Sequence, residues 1–121
     1  MRPWKFLLGS ALFATFAVEP ALAGQAGNVI EIVTFQLKPG VSPAEFAPVD
    51  KAVGRDHVAR QPGFISRESA HGADGAWLVI VHWRSVKDAD ASMASFEKAP
   101  AAAPFMAKIV TSTMSMKRYQ E

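Results

Sequence analysis

The chain has 121 residues, half of them apolar and a fifth charged, with a formal net charge of +2 and no cysteine. That length and composition fit one small globular domain rather than a disordered or coiled-coil chain. The lack of cysteine excludes disulfides, thiolate nucleophiles, c-type haem attachment, cysteine-held metal clusters and an acylated lipoprotein anchor.

The first 23 residues read as a cleavable signal peptide. Arg2 and Lys5 give a positive start, Phe6–Val18 is a 13-residue apolar run, Pro20 breaks it, and Ala21-Leu-Ala23 is a small-x-small cleavage site before Gly24. The run is short for a membrane anchor, and no apolar stretch reaches the ~20 residues of a spanning helix. The expectation is therefore a periplasmic or secreted protein with a short flexible start over 24–28. Without residues 1–23 the chain carries 11 basic against 10 acidic side chains. No dense basic stripe is left to meet nucleic acid.

From Val29 to Leu37 the chain is rich in β-branched residues and closes on Lys38-Pro39-Gly40, which predicts a strand ending in a turn. Ser42, Pro43 and Glu45 then stand at the N-cap, N1 and N3 positions of a helix, so the hydroxyl and the carboxylate can satisfy orphan backbone N–H groups reciprocally. Phe46, Val49 and Val53 form its core-facing stripe, with a kink or irregular turn expected at Pro48 or Gly54. Gln61-Pro62-Gly63 ends that helix. Phe64–Ala70 is a more polar strand suited to a sheet edge, and Gly72–Gly75 is the turn of a hairpin into the strand Ala76–Arg84.

Ser85 caps a second helix with Asp88 at N3 and Val86, Ala89, Met93 and Phe96 as its stripe, before Pro100. Pro104 opens a short extra turn bearing Phe105, Met106 and Ile109. Residues Thr111–Tyr119 alternate as a final strand. The order β-α-β-β-α-β over one domain, 29–121, predicts an α+β fold of the ferredoxin-like kind: a four-stranded antiparallel sheet with helices on one face.

That arrangement has a consequence for assembly. In the first strand Ile30, Ile32 and Thr34 share one face and Glu31, Val33, Phe35 and Leu37 the other; in the third, Leu78, Ile80 and His82 oppose Trp77, Val79, Val81 and Trp83. Both faces of the central strands are apolar, yet the helices cover only one. An identical subunit packed sheet against sheet is the expected cover, giving a homodimer.

The segments Glu31–Gly40, Gln61–Arg67 and Val81–Ser85 followed by Asp88 and Ala89, with Met114, Ser115, Met116 and Tyr119, resemble the dimeric α/β-barrel superfamily, and within it proteins with an antibiotic-biosynthesis-monooxygenase (ABM) type of domain. The resemblance runs over residues 29 to 120. It implies two sheets closing into a dimeric barrel, each half enclosing an apolar cavity between sheet and helices or loops. It also implies cofactor-independent oxygenation of aromatic polyketides, or haem degradation, as known activities, beside relatives with no assigned activity. The haem-degrading branch uses an Asn, a Trp and a haem-ligating His that do not map onto this chain; Asn28 and His57 stand in other contexts.

Antiparallel pairing brings the start of the first strand beside the end of the third, so Glu31 is expected near His82. A carboxylate that fixes the tautomer of an imidazole makes a general base able to deprotonate a phenol, and an electron-rich phenolate reacts with oxygen without a cofactor. A buried structural pair, or a register that separates the two, is the alternative. Trp83, Phe35, Ile80 and Arg67 are the expected ligand contacts, with Trp77 and Trp83 either packed under the helices or walling the cavity. Met93, Met106, Met114 and Met116 read as adaptable packing. His57 and His71 are expected to be exposed, and with three histidines and no HxH or HxxxH spacing no metal site is expected. No phosphate loop, serine elbow or nucleotide fingerprint is present. These readings leave an exported dimeric barrel that binds a small apolar or aromatic molecule. It is either a cofactor-independent monooxygenase or a non-catalytic binding or stress-associated barrel, with haem binding a third alternative.

Overall fold

The computed structural model describes residues 28–121. The expected signal peptide and residues 24–27 of the expected flexible start lie outside the described residues. The elements are β1 (Val29–Leu37), α1 (Pro43–Asp56), a 3-10 turn (Val58–Arg60), β2 (Phe64–His71), a second 3-10 turn (Ala73–Gly75), β3 (Ala76–Trp83), α2 (Val86–Phe96), α3 (Ala102–Ala107) and β4 (Ile109–Gln120). The four strands form one antiparallel sheet in the order β2-β3-β1-β4, with the helices on one face.

Both long helices start where local chemistry directs. The Ser42 hydroxyl accepts from the backbone N–H of Glu45 at 3.1 Å, and the Ser85 hydroxyl accepts from that of Asp88 at 3.1 Å. The reciprocal half expected at Glu45 is diverted: its carboxylate lies 3.2 Å from Lys108 Nζ, tying α1 to the start of β4. Helix α1 runs through both Pro48 and Gly54. Gly54 has a packing reason, because a Cβ there would stand 2.9 Å from Arg67 Nη1.

The hairpin and edge assignments hold, and the strand pairs place Glu31, Phe35 and Leu37 of β1 with Trp77, Val79, Val81 and Trp83 of β3 on the helix side. Phe46 of α1 is fully buried there, edge-on to Trp77 with ring centroids 4.8 Å apart and 5.2 Å from Phe105. Two expectations are corrected. His57 is buried at the C-terminal cap of α1, where Ser92 O and Ser95 Oγ each lie 3.3 Å from its Nε2. Met93 is 43% exposed, and Ser92 takes its place on the buried face of α2.

Strand β4 is not a regular partner of β1. Thr34 pairs with Ser115 but Gln36 with Val110, so β4 carries extra residues over a two-residue step of β1. Thr113 Oγ1 fills the gap, accepting from Gln36 N–H at 2.9 Å and donating to Val110 O at 2.5 Å. A bulge of this kind re-aims side chains at a sheet edge, and here Met114 reaches the space between sheet and helices.

Gly63, in the turn before β2, has φ +81°, and a Cβ on it would lie 2.1 Å from the Asp88 carboxylate that also accepts from the Ser85 hydroxyl. Gly63→Ala therefore combines a left-handed backbone, costing about 1–2 kcal/mol, with displacement of a group at the α2 cap. Urea denaturation is expected to show a loss of about 2 kcal/mol or more; a variant as stable as the parent would contradict this packing.

Candidate functional site

A cavity of about 440 Å3 lies between the sheet and the helices. Its walls are mostly apolar: Phe35, Val79, Val81 and Trp83 from the sheet, with Phe96 of α2 and Phe105 of α3 among those facing them. Size and lining are those of a small-molecule pocket, in which a few polar groups fix orientation. Glu31, Arg67, Ser92 and Glu97 supply them.

Glu31 is 4% exposed. Its Oε1 accepts from Trp83 Nε1 over a long 3.4 Å, and its Oε2 accepts from Arg118 Nε at 2.9 Å. Arg118 also pairs with Asp90 of α2, so one guanidinium on the edge strand joins a buried carboxylate to a surface one. Burial works to weaken the proton affinity of Arg118, but its hydrogen bonds to Asp90 and Glu31 outweigh this, raising its pKa above the ordinary arginine value.

A second buried ion pair stands on the wall nearer α1. Arg67 of β2 grips Asp50 in a fork, Nη2 to Oδ1 at 2.8 Å and Nη1 to Oδ2 at 3.2 Å, and the Ser69 hydroxyl donates to Oδ2 at 2.6 Å. Arg67 Nε is buried with no partner among the described residues. Removing one member of such a pair leaves the other charged and desolvated, which typically costs about 3–5 kcal/mol. The space over Gly54 is what lets Arg67 reach Asp50.

The expected Glu31–His82 pair is not formed. His82 is opposite Ile30, while Glu31 is opposite Val81. An offset of one residue reverses the face in a strand, so Glu31 points to the helix side and His82, with Ile80, to the open side. Of the expected ligand contacts, Trp83, Phe35 and Arg67 line the cavity beside Glu31, and Ile80 does not. Trp77 and Trp83 are both buried core residues, and Trp83 is also a cavity wall.

Asp50, Asp90 and Arg118 were not expected at the site. A signal existed for two of them. Asp50 sits on the Phe46–Val53 stripe of α1, and Arg118 has the same strand parity as Met114 and Met116. A charge on an apolar face implies a buried partner.

The cavity lining contains no imidazole, and the described residues hold no cluster of three or more His, Asp or Glu suited to a metal. The histidine-ligated haem of the third alternative does not fit this donor set. No described helix is long and apolar enough to cross a membrane.

No protein-family model matches the chain, and no curated protein matches it. Solved structures do. A variant of SnoaB, a cofactor-independent oxygenase from Streptomyces nogalater, superposes with TM-score 0.64 at 22% identity, over 79% of this chain and 94% of that one. A candidate antibiotic biosynthesis monooxygenase from Caulobacter crescentus gives TM-score 0.66 at 15% identity, covering 85% and 97%. Another, from Bordetella bronchiseptica, gives 0.61 at 17%, covering 78% and 97%. At such identities the likeness is one of fold. The chain has the ferredoxin-like fold of the ABM-type proteins.

Proposed function

We propose that the protein binds a small aromatic molecule in the cavity between sheet and helices and oxygenates it without a cofactor, with Glu31 as the base. The observation that carries this reading is a buried carboxylate in the wall of an apolar cavity of about 440 Å3, held at the indole N–H edge of Trp83. The activity class is taken from the fold neighbours, one of which is a cofactor-independent oxygenase.

The chemistry needs no external reductant. A ring methylene made acidic by neighbouring carbonyl or phenol groups gives its proton to Glu31, and the resulting carbanion or phenolate supplies electrons to dioxygen. The peroxide formed loses water, so that a CH2 group and O2 become a C=O group and H2O. Arg118 holds Glu31 in place, and the mostly apolar walls give the reacting carbon a surrounding of low polarity.

One observation favours a second reading, a barrel that binds without turnover: both Glu31 oxygens already have protein partners. The two readings separate in an oxygen electrode. With two- and three-ring hydroxylated aromatics that carry a ring methylene, the enzyme reading expects substrate-dependent oxygen uptake that falls by about 10²–10⁴-fold in Glu31→Gln and is unchanged in His82→Ala. Ligand binding with no oxygen uptake supports the binding barrel instead.

The proposal extends to setting and assembly. A cleavable leader makes the protein periplasmic or secreted, so the exported form begins at Gly24 by intact mass; a mass retaining residues 1–23 contradicts this. A second copy covers the open, apolar side of the sheet as a homodimer.

A further inference from the structure

Among the described residues three charged side chains line the cavity: Glu31, Arg67 and Glu97. Two of them are engaged within the protein, Glu31 with Arg118 and Arg67 with Asp50. Glu97, at the C-terminal cap of α2, has no ion-pair partner among the described residues. The exposed members of the lining, Met93, Glu97, Ala103 and Met114, mark the opening of the cavity, and of these Glu97 alone is charged. Lys98, the next residue, lies outside the lining.

Local electrostatics do not favour a carboxylate there. The carbonyls at a helix C-terminus carry partial negative charge and attract cations, yet the last turn of α2 holds no basic residue and Glu97 adds a further negative charge. The wider surroundings have the same sign. Four carboxylates, Glu31, Asp50, Asp90 and Glu97, stand against two guanidiniums, Arg67 and Arg118, an excess of two negative charges around an otherwise apolar space.

We propose that the cavity takes an aromatic ring bearing a protonated alkylamine, with the ring between the sheet and α2 and the ammonium at the opening against the Glu97 carboxylate. This rests on the small-molecule reading above and adds to it the charge of the ligand. The ammonium at the opening keeps part of its hydration, so the cost of burying a charge in the dry interior does not arise. It meets there a free carboxylate and the negative end of α2, with Phe96 beside them in the lining as an aromatic ring able to attract the same cation. The exposed Met93 and Met114 give the rim an adaptable apolar surface for the alkyl link.

The test is calorimetric titration at low salt and pH 7 with three probes that share one ring: naphthalen-2-ylmethanamine, which is protonated there, naphthalene-2-methanol and 2-naphthoate. The amine is expected to bind at least about fivefold more tightly than the alcohol, and the naphthoate most weakly. The advantage of the amine is expected to shrink as salt is added, and the alcohol to displace it from one shared site. In Glu97→Gln the amine is expected to fall to within about twofold of the alcohol, whose own affinity does not change. That substitution removes a negative charge from a helix C-terminus at an exposed position, so folding is preserved, as an unchanged thermal melt checks. An amine bound no more tightly than the alcohol, not displaced by it, or equally favoured in Glu97→Gln would overturn this inference and leave the aromatic cavity standing. Binding of none of the three would overturn the cavity reading and this inference with it.

Discussion

Everything in this molecule follows from the two-residue period of β-strands applied to a sheet whose two central strands are apolar on both sides. One side receives the helices and becomes the core. There Phe35 of β1 and Trp77 of β3 meet Phe46 of α1 edge to face and Phe105 of α3 meets it at a tilt, leaving beside them a cavity that the side chains do not fill. The other side, with Ile30, Ile32, Leu78 and Ile80, has no cover within the described residues. The chain thus separates its two sheet faces by parity, one residue for the helix side and the next for the open side.

The same parity explains why the charged groups of the site are expensive and well held. Glu31 and Asp50 sit among apolar neighbours, and each is met by an arginine from an edge strand, Arg118 from β4 and Arg67 from β2. The two arginines enter the cavity region from opposite edges of the sheet, so Glu31 and Asp50 are each neutralised by one of them, while Glu97 lines the cavity from its exposed position on the end of α2. A pocket built this way disfavours an anion, because both arginines are already engaged with carboxylates.

Much of the fold was legible from the sequence because the signals were local. The Ser42 and Ser85 caps, the Pro62-Gly63 turn and the β-branched runs of β1 and β3 each act within a few residues of themselves. The face assignments of β1 and β3 followed from alternation alone. The site was less legible because it depends on register, which alternation does not set: Glu31 and His82 are close along the ladder but one residue out of phase. His57 looked like a surface residue at a helix end, and only the packing of α2 across it, through Ser92, Ser95 and Phe96, makes it buried. The β4 bulge is spanned by the Thr113 hydroxyl, which accepts from Gln36 N–H, a contact between residues 77 apart in sequence.

The central claim is that ligand chemistry belongs to the helix side of the sheet, beside Glu31 and Trp83, and not to the side that carries His82. A crystal structure of the protein soaked with 2-naphthol tests this most directly. The account predicts the ring between the sheet and α2, against Trp83 and Val81, with its hydroxyl within about 2.6–3.2 Å of a Glu31 oxygen. A naphthol ring seated instead on the open side against Ile80 and His82, with the cavity empty, would contradict it.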